Sequence, residues 1–221
     1  MAHHQEQTLV IDPKKFEEDP ITVAAHVSVN DPARLLFLQL EAKRQACFGE
    51  ADFVEMGVFK GGTAIILAHA LRLFGSRRKL HLLDAWQGLP APTEQDAGTI
   101  LREGVFAEAS EKCVKETLAT LGLLDHCAIH KGWFENTLEG LNGSYALAHI
   151  DCDFYVPVKQ CLEHIIPRMT NRGSIIVDDF GSHRSRRFPG VEKAVVEVTR
   201  GTPWKVIPLG ASEDQSVLLI R

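Results

Sequence analysis

Apolar residues fall in short runs separated by longer amphipathic stretches, and the two alternate along most of the chain. Asp31-Pro32 marks a helix start, a capping carboxylate followed by proline at the first helical position. Leu35, Leu36, Leu38, Leu40 and Ala46 continue that helix to about Gly49. Phe53 and Val54 begin a strand over about 52–56, followed by an apolar helix over 62–74. Leu80-His-Leu-Leu-Asp84 reads as a second strand, and residues 107–121 as a helix stopped by Gly122. Cys127–His130 is a short third strand, and Trp133–Leu138 a turn or short helix. Tyr145–Ile150 is a fourth strand, 155–166 a helix ending near Pro167, and Ser174–Val177 a fifth strand. Val191–Thr199 is a helix, and Lys205–Ile207 and Ser216–Ile220 are two strands with no long helix between them. This alternation predicts a doubly wound α/β fold: a mainly parallel seven-stranded sheet with helices on both faces and a terminal antiparallel hairpin. Residues 1–30 are weakly periodic and are expected to form an extended arm or cap, leaving 31–221 as a single domain.

The 221 residues suffice for one large core, and 45% hydrophobic with 24% charged residues is ordinary for a globular chain. A net charge of −5 argues against a non-specific nucleic-acid binder. No apolar run is long enough to span a membrane. The N-terminus shows no basic region followed by an apolar one, so no signal peptide is expected. Five scattered cysteines without a Cys-x-x-Cys pair fit a reduced, cytoplasmic compartment. His3 and His4 are given no role.

The chemistry concentrates on the strand ends. Glu55-x-Gly57-x-Phe59-x-Gly61-Gly62-Thr63 is a strand, a glycine turn and a helix start. Glycine lets backbone approach a ligand, and the helix N-terminus offers unpaired N–H groups. The spacing is not that of the dinucleotide fingerprint; it is similar to the pattern of S-adenosylmethionine (SAM) sites in methyltransferases, or else a purely structural turn. Asp84, at the end of the second strand, stands where an acid meets ribose hydroxyls, or else caps a loop. Gly132-Trp133-Phe134 follows the third strand, and Trp133 is either a purine-stacking side chain or a core aromatic.

Asp151, Asp178 and Asp179 follow the fourth and fifth strands. Three hard carboxylates on one sheet edge suit Mg²⁺ rather than zinc, and without a cation they raise one another's pKa. Asp153 is the candidate base: if the chain stays extended past Asp151, period-two geometry puts both side chains on one side. His149 and His183 are weaker base candidates. Loop 85–104 and the basic run Arg184-Ser-Arg-Arg187 flank the same edge and are candidates for closing over a substrate.

Five ordered segments carry a family resemblance: Val54–Gly62, Leu83–Pro90, Lys131–Leu138, His149–Tyr155 and Ile176–Phe180. Together they resemble the macrocin O-methyltransferases, antibiotic-tailoring enzymes that include the mycinamicin and novobiocin sugar O-methyltransferases. The resemblance implies a class I SAM-dependent fold with Mg²⁺ or another hard divalent ion. It implies metal ligation by Asp151, Asp178 and Asp179, a base at Asp153, and SAM contacts at Glu55, Gly57 and Asp84. The expected reaction is methyl transfer to a small-molecule hydroxyl, of a sugar or a catechol-like phenol, with no nucleic-acid or membrane partner and a homodimer as a candidate assembly. Two rival classes stand beside it: an NAD-dependent oxidoreductase, which Asp84 allows, and a non-catalytic binding protein on the same fold. The N-terminal part, short and unlike the family's cap, departs from the family, and with it the shape of the acceptor pocket.

Overall fold

A computed structural model describes residues 19–181, 187–210 and 215–221. Helices α1 (Pro20–Ala25) and α2 (Pro32–Phe48) precede strand β1 (Asp52–Met56) and helix α3 (Gly62–Leu73). Then follow β2 (Leu80–Asp84), α4 (Glu111–Thr120), β3 (Cys127–Lys131), α5 (Phe134–Thr137) and β4 (Tyr145–Ile150). The chain closes with α6 (Tyr155–Ile165), β5 (Met169–Phe180), α7 (Pro189–Thr199), β6 (Lys205–Pro208) and β7 (Gln215–Ile220). The seven strands form one sheet in the order β3-β2-β1-β4-β5-β7-β6. The first five are parallel, and β7 runs antiparallel between β5 and β6.

Alternation within each strand splits the core into two layers. Phe53, Leu80 and Leu82 pack with Leu35, Leu38 and Ile65 of the α2 and α3 side. Val54, Met56 and Leu83 point the other way, onto Val158, Leu162 and Val191 of α6 and α7. Burial on both faces is why these strands read as apolar runs rather than as alternating sequence. Strand order reverses between β1 and β4, so crossovers leave in opposite directions there and open a crevice at the carboxyl ends of those strands.

The expected elements are present, with three differences. Within the expected arm, Pro20–Ala25 is helical, capped by Asp19, and buries Val23 and Ala24. The helix expected from 107 begins at Glu111, because Ser110 Oγ accepts from Cys113 N at 3.2 Å and fixes the start there. The fifth strand is longer than 174–177, running from Met169 to Phe180 with register breaks at both ends. No helix among the described residues is long and apolar enough to cross a membrane, and all five cysteines are free thiols.

Candidate active site

At the sheet's carboxyl edge lies a cavity of about 600 Å³. Its first half is built by the glycine turn. Gly57 has φ +90, and a Cβ there would stand 1.9 Å from the Asp151 carbonyl oxygen, so no other residue lets β1 and β4 end side by side. That closeness is fixed by Asp151 N donating to Met56 O at 2.9 Å. Asp84 Oδ2 accepts from Val58 N at 2.8 Å and Phe59 N at 2.9 Å, while Oδ1 accepts from Trp86 N at 2.6 Å. Trp86 Nε1 in turn donates to Phe59 O at 2.9 Å. Asp84 is therefore a loop-capping acid that also lines the cavity. A carboxylate has about four lone-pair positions, so three backbone bonds leave room for a ligand hydroxyl. Phe59, Gly62, Thr63, Gly132, Trp133 and Phe134 line the same half.

Acids build the second half. Strand β4 stops at Ile150, and Asp153 has φ +66, so it reaches the cavity through a turn and not through the period-two extension expected for it. Asp178 and Asp179 sit where the β5–β7 register breaks, and Asp179 has φ +61. The irregularity keeps two adjacent acids near one site, where a regular strand would send them to opposite faces. A non-glycine residue at positive φ costs of order 1–3 kcal/mol, which surrounding structure must offset. Two overlapping sets of ligand atoms lie within 4.8 Å of one another: His149, Asp151 and Asp178, and Asp151, Asp153 and Asp179. Asp153, expected to stand apart from the metal ligands, thus shares a set with Asp151 and Asp179.

Burial pushes the Asp151, Asp153 and Asp179 carboxyls well above the usual range, and the neighbouring carboxylates push them further. Asp178 differs. Burial opposes its ionisation, but bonding to His149 and the charges of His149 and Arg34 outweigh that and hold it below the usual value. Its Oδ2 accepts from Asn30 Nδ2 at 3.0 Å and faces His149 Nε2 at 3.2 Å, and its Oδ1 accepts from Ser216 Oγ.

Four of the expected residues do not line the cavity: Gly61 of the glycine turn, Asp178, Glu55 and His149. Glu55 is fully buried and does not line the cavity; its Oε1 faces His149 Nδ1 at 3.0 Å. His149 is enclosed between Glu55 and Asp178, and their bonds and charges overcome burial to hold it well above the usual histidine pKa. A histidine kept charged, with both ring nitrogens engaged and no face on the cavity, does not serve as a base, which corrects that expectation. His183 and Arg184 to Arg186 lie outside the described residues; Arg187 lines the cavity.

Loop 85–104 is tied down rather than open. Asp96 is buried in a 3-10 turn and accepts from Thr93 N at 2.9 Å and Tyr155 N at 2.8 Å, joining the loop to the start of α6. Periodicity missed two more contributors, Asn30 and Arg34. Arg34 Nη1 donates to Asp179 Oδ1 at 3.1 Å and to Asn30 Oδ1 at 3.3 Å. Just before them, Ser28 lies on Gly62, where an added Cβ would come within 2.5 Å of the Ser28 Cβ. The sequence signals near these residues, the Asp31-Pro32 helix start and the leucines from Leu35, place a helix but not its polar contacts.

Residues 39–197 match the family described as Macrocin-O-methyltransferase (TylF), well over half of the chain. The 8-demethyl-8-(2,3-dimethoxy-alpha-L-rhamnosyl)-tetracenomycin-C 4'-O-methyltransferase of Streptomyces olivaceus is 33% identical over 139 residues, 58% of this chain and 52% of that protein. The mycinamicin III 3''-O-methyltransferase of Micromonospora griseorubida is 29% identical over 172 residues, 70% of this chain and 68% of that protein. The chain thus spans about half to two thirds of the length of these curated relatives. The structure of the O-methyltransferase NovP superposes with a TM-score of 0.82 at 22% identity, over 95% of this chain and 99% of that one, which establishes the shared fold. On the match over residues 39–197, the chain belongs to the macrocin O-methyltransferase (TylF) family.

Proposed function

We propose that the protein is a SAM-dependent O-methyltransferase that methylates a hydroxyl of a small molecule, a sugar-bearing natural product, with the help of a hard divalent cation. The observation that carries this is a single cavity lined both by the glycine turn with Asp84 and by Asp151, Asp153 and Asp179. One half suits an adenosine-bearing donor, with Asp84 at the ribose and Trp133 and Phe134 at the base. The other half suits an acceptor hydroxyl. The activities for which the tetracenomycin and mycinamicin relatives are named favour a sugar over a catechol-like phenol.

The donor set fits Mg²⁺. On the cavity side the donors are all oxygen, and burial together with one another's charges holds the Asp151, Asp153 and Asp179 carboxyls above their usual pKa, a cost that a cation relieves. Asp151, Asp178 and Asp179 would hold the ion, which when bound lowers the pKa of an acceptor hydroxyl beside it. Asp153 takes the hydroxyl proton. The cavity holds donor and acceptor together, so that the new O–C bond forms as the C–S bond of the sulfonium breaks. Glu55 and His149 act from behind, fixing Asp178.

The test is transfer of labelled methyl from SAM to a panel of glycosylated and catechol acceptors, with and without EDTA. Transfer to a glycoside that Mg²⁺ restores after chelation supports the reading. Transfer confined to catechols moves the acceptor class, full activity after exhaustive chelation removes the metal, and binding of NADH without SAM rejects the donor.

A further inference from the structure

Arg34 lies outside the glycine and aspartate motifs, yet its side chain is only 15% exposed and it lines the cavity. It reaches the acids from the first turn of α2, whose N-cap is Asp31. Its Nη1 sits 3.1 Å from Asp179 Oδ1 and 3.3 Å from Asn30 Oδ1. Asn30 passes the connection on, donating Nδ2 to Asp178 Oδ2 at 3.0 Å. One short stretch therefore holds both acids at the β5 irregularity. Desolvation works against the charge on Arg34, but Asp178, Asp179 and Asp151 together outweigh it and keep the guanidinium charged.

A guanidinium in that position has a physical consequence. It neutralises part of the cluster and holds the Asp179 carboxylate through one oxygen at 3.1 Å, a carboxylate that would also hold a cation. Like charges at such range repel even when the effective dielectric is high. We infer that Arg34 is a positioning residue that serves as the cluster's built-in counter-charge, orienting Asp179 and weakening divalent-cation binding so that the ion is held loosely. Asn30 couples this charge to Asp178, so that the segment before the domain core sets the cation affinity of residues nearly 150 positions away. The inference rests on the cation reading of the site given above. A role in packing alone predicts something different: loss of Arg34 would loosen Asp179 and weaken the ion.

The experiment is calorimetric titration of the substrate-free full chain with Mg²⁺ alone, for wild type, Arg34→Gln and Arg34→Lys, with thermal unfolding measured alongside. Removing one positive charge beside the ion is expected to tighten Mg²⁺ binding in Arg34→Gln by about tenfold or more. Arg34→Lys keeps the charge and should stay within about threefold of wild type. Without cation, Arg34→Gln should melt below wild type, because the carboxylates lose a partner, and saturating Mg²⁺ should raise its Tm more than it raises that of wild type. Equal or weaker Mg²⁺ binding by a folded Arg34→Gln overturns the inference while leaving the cation reading intact. No Mg²⁺ binding by wild type overturns both.

Discussion

Two buried acidic groups meet strand β5, one near its middle and one at its end, and they are built on opposite principles. Near its middle, Glu41 of α2 meets Ser174 Oγ, Arg44 Nε at 2.8 Å, Arg44 Nη2 at 2.5 Å and Gln45 Nε2 at 3.2 Å. One carboxylate there has four donors. Burial alone would raise its pKa, but those bonds more than cancel it and the carboxyl ends below the usual value. Toward the strand's end, Arg34 bonds Asp179 alone, its charge reaches Asp151 but not Asp153, and all three carboxyls rise well above the usual value. Burial is common to both groups, so the supply of donors per carboxylate decides the outcome. The first group is complete as it stands. The second is under-supplied with positive charge, and two of its acids, Asp153 and Asp179, sit at positive φ. A site that accepts strain and unbalanced charge is built to receive something.

The sharpest way to break this contrast is to remove acids from the under-supplied group. Asp153→Asn should lower single-turnover rate by about two to four powers of ten, the share of a positioned base, with Mg²⁺ affinity near wild type. Asp151→Asn, common to both ligand sets, should abolish measurable Mg²⁺ binding as well. Because Asp153 also stands in a ligand set, loss of Mg²⁺ affinity in Asp153→Asn would make it a ligand, and an unchanged chemical step would end its role as base.

Asp84 tests the other half of the cavity. Asp84→Ala takes an acceptor from three backbone amides of the glycine turn and the following loop, besides any ligand hydroxyl. SAM and S-adenosylhomocysteine affinity should fall by roughly 1.5–3 kcal/mol, about 10- to 150-fold, read by calorimetry. A smaller loss confined to neither ligand would reduce Asp84 to a loop cap.

A gentler probe adds charge instead of removing it. Mg²⁺ at about one hundred times its Kd should stabilise the wild-type fold by about 2.7 kcal/mol, the mass-action value for one site, seen as a rise in Tm. The same addition should leave Asp151→Asn unmoved. A Tm rise of equal size in both would place the ion elsewhere.

These contrasts were unevenly legible in the sequence. The strands, the glycine turn and the family of acids at the strand ends follow from local pattern, since apolar runs and glycine spacing act over a few residues. The partners of those acids do not. Asn30 and Arg34 meet Asp178 and Asp179 across 148 and 145 positions, and a legible helix start at Asp31-Pro32 says nothing of what its polar residues will touch. Asp179 takes its direction from a register break and a positive φ, which no alternation rule foretells. Glu55 stands in the motif yet turns to His149, because burial on both faces of β1 leaves it facing a neighbouring strand. Nothing in the sequence pairs Glu41 with Ser174, which stands opposite it in the fold.

Glu41 also sets the smallest expected effect and the cleanest sign. Its carboxyl is held below its ordinary value of 4.5 in the folded chain. A depressed pKa means that the unfolded chain binds the proton more readily. The stabilisation is therefore fully present above about pH 4.5 and is lost as pH falls through the folded value. Arg44 is 45% exposed, so water screens its share of the attraction. Ser174 and Gln45 are buried, and their bonds are not screened in the same way. Glu41→Gln should thus cost roughly 1–2 kcal/mol at pH 7, at the low end for a charge-assisted group, and should flatten the decline of stability below pH 4.5. Urea unfolding at pH 7 and pH 4 reads both numbers. Activity and Mg²⁺ affinity should stay near wild type, since Glu41 neither lines the cavity nor belongs to either ligand set. If Glu41→Gln instead shifted cation affinity as strongly as Arg34→Gln, the two acidic groups at β5 would be one coupled network and not two.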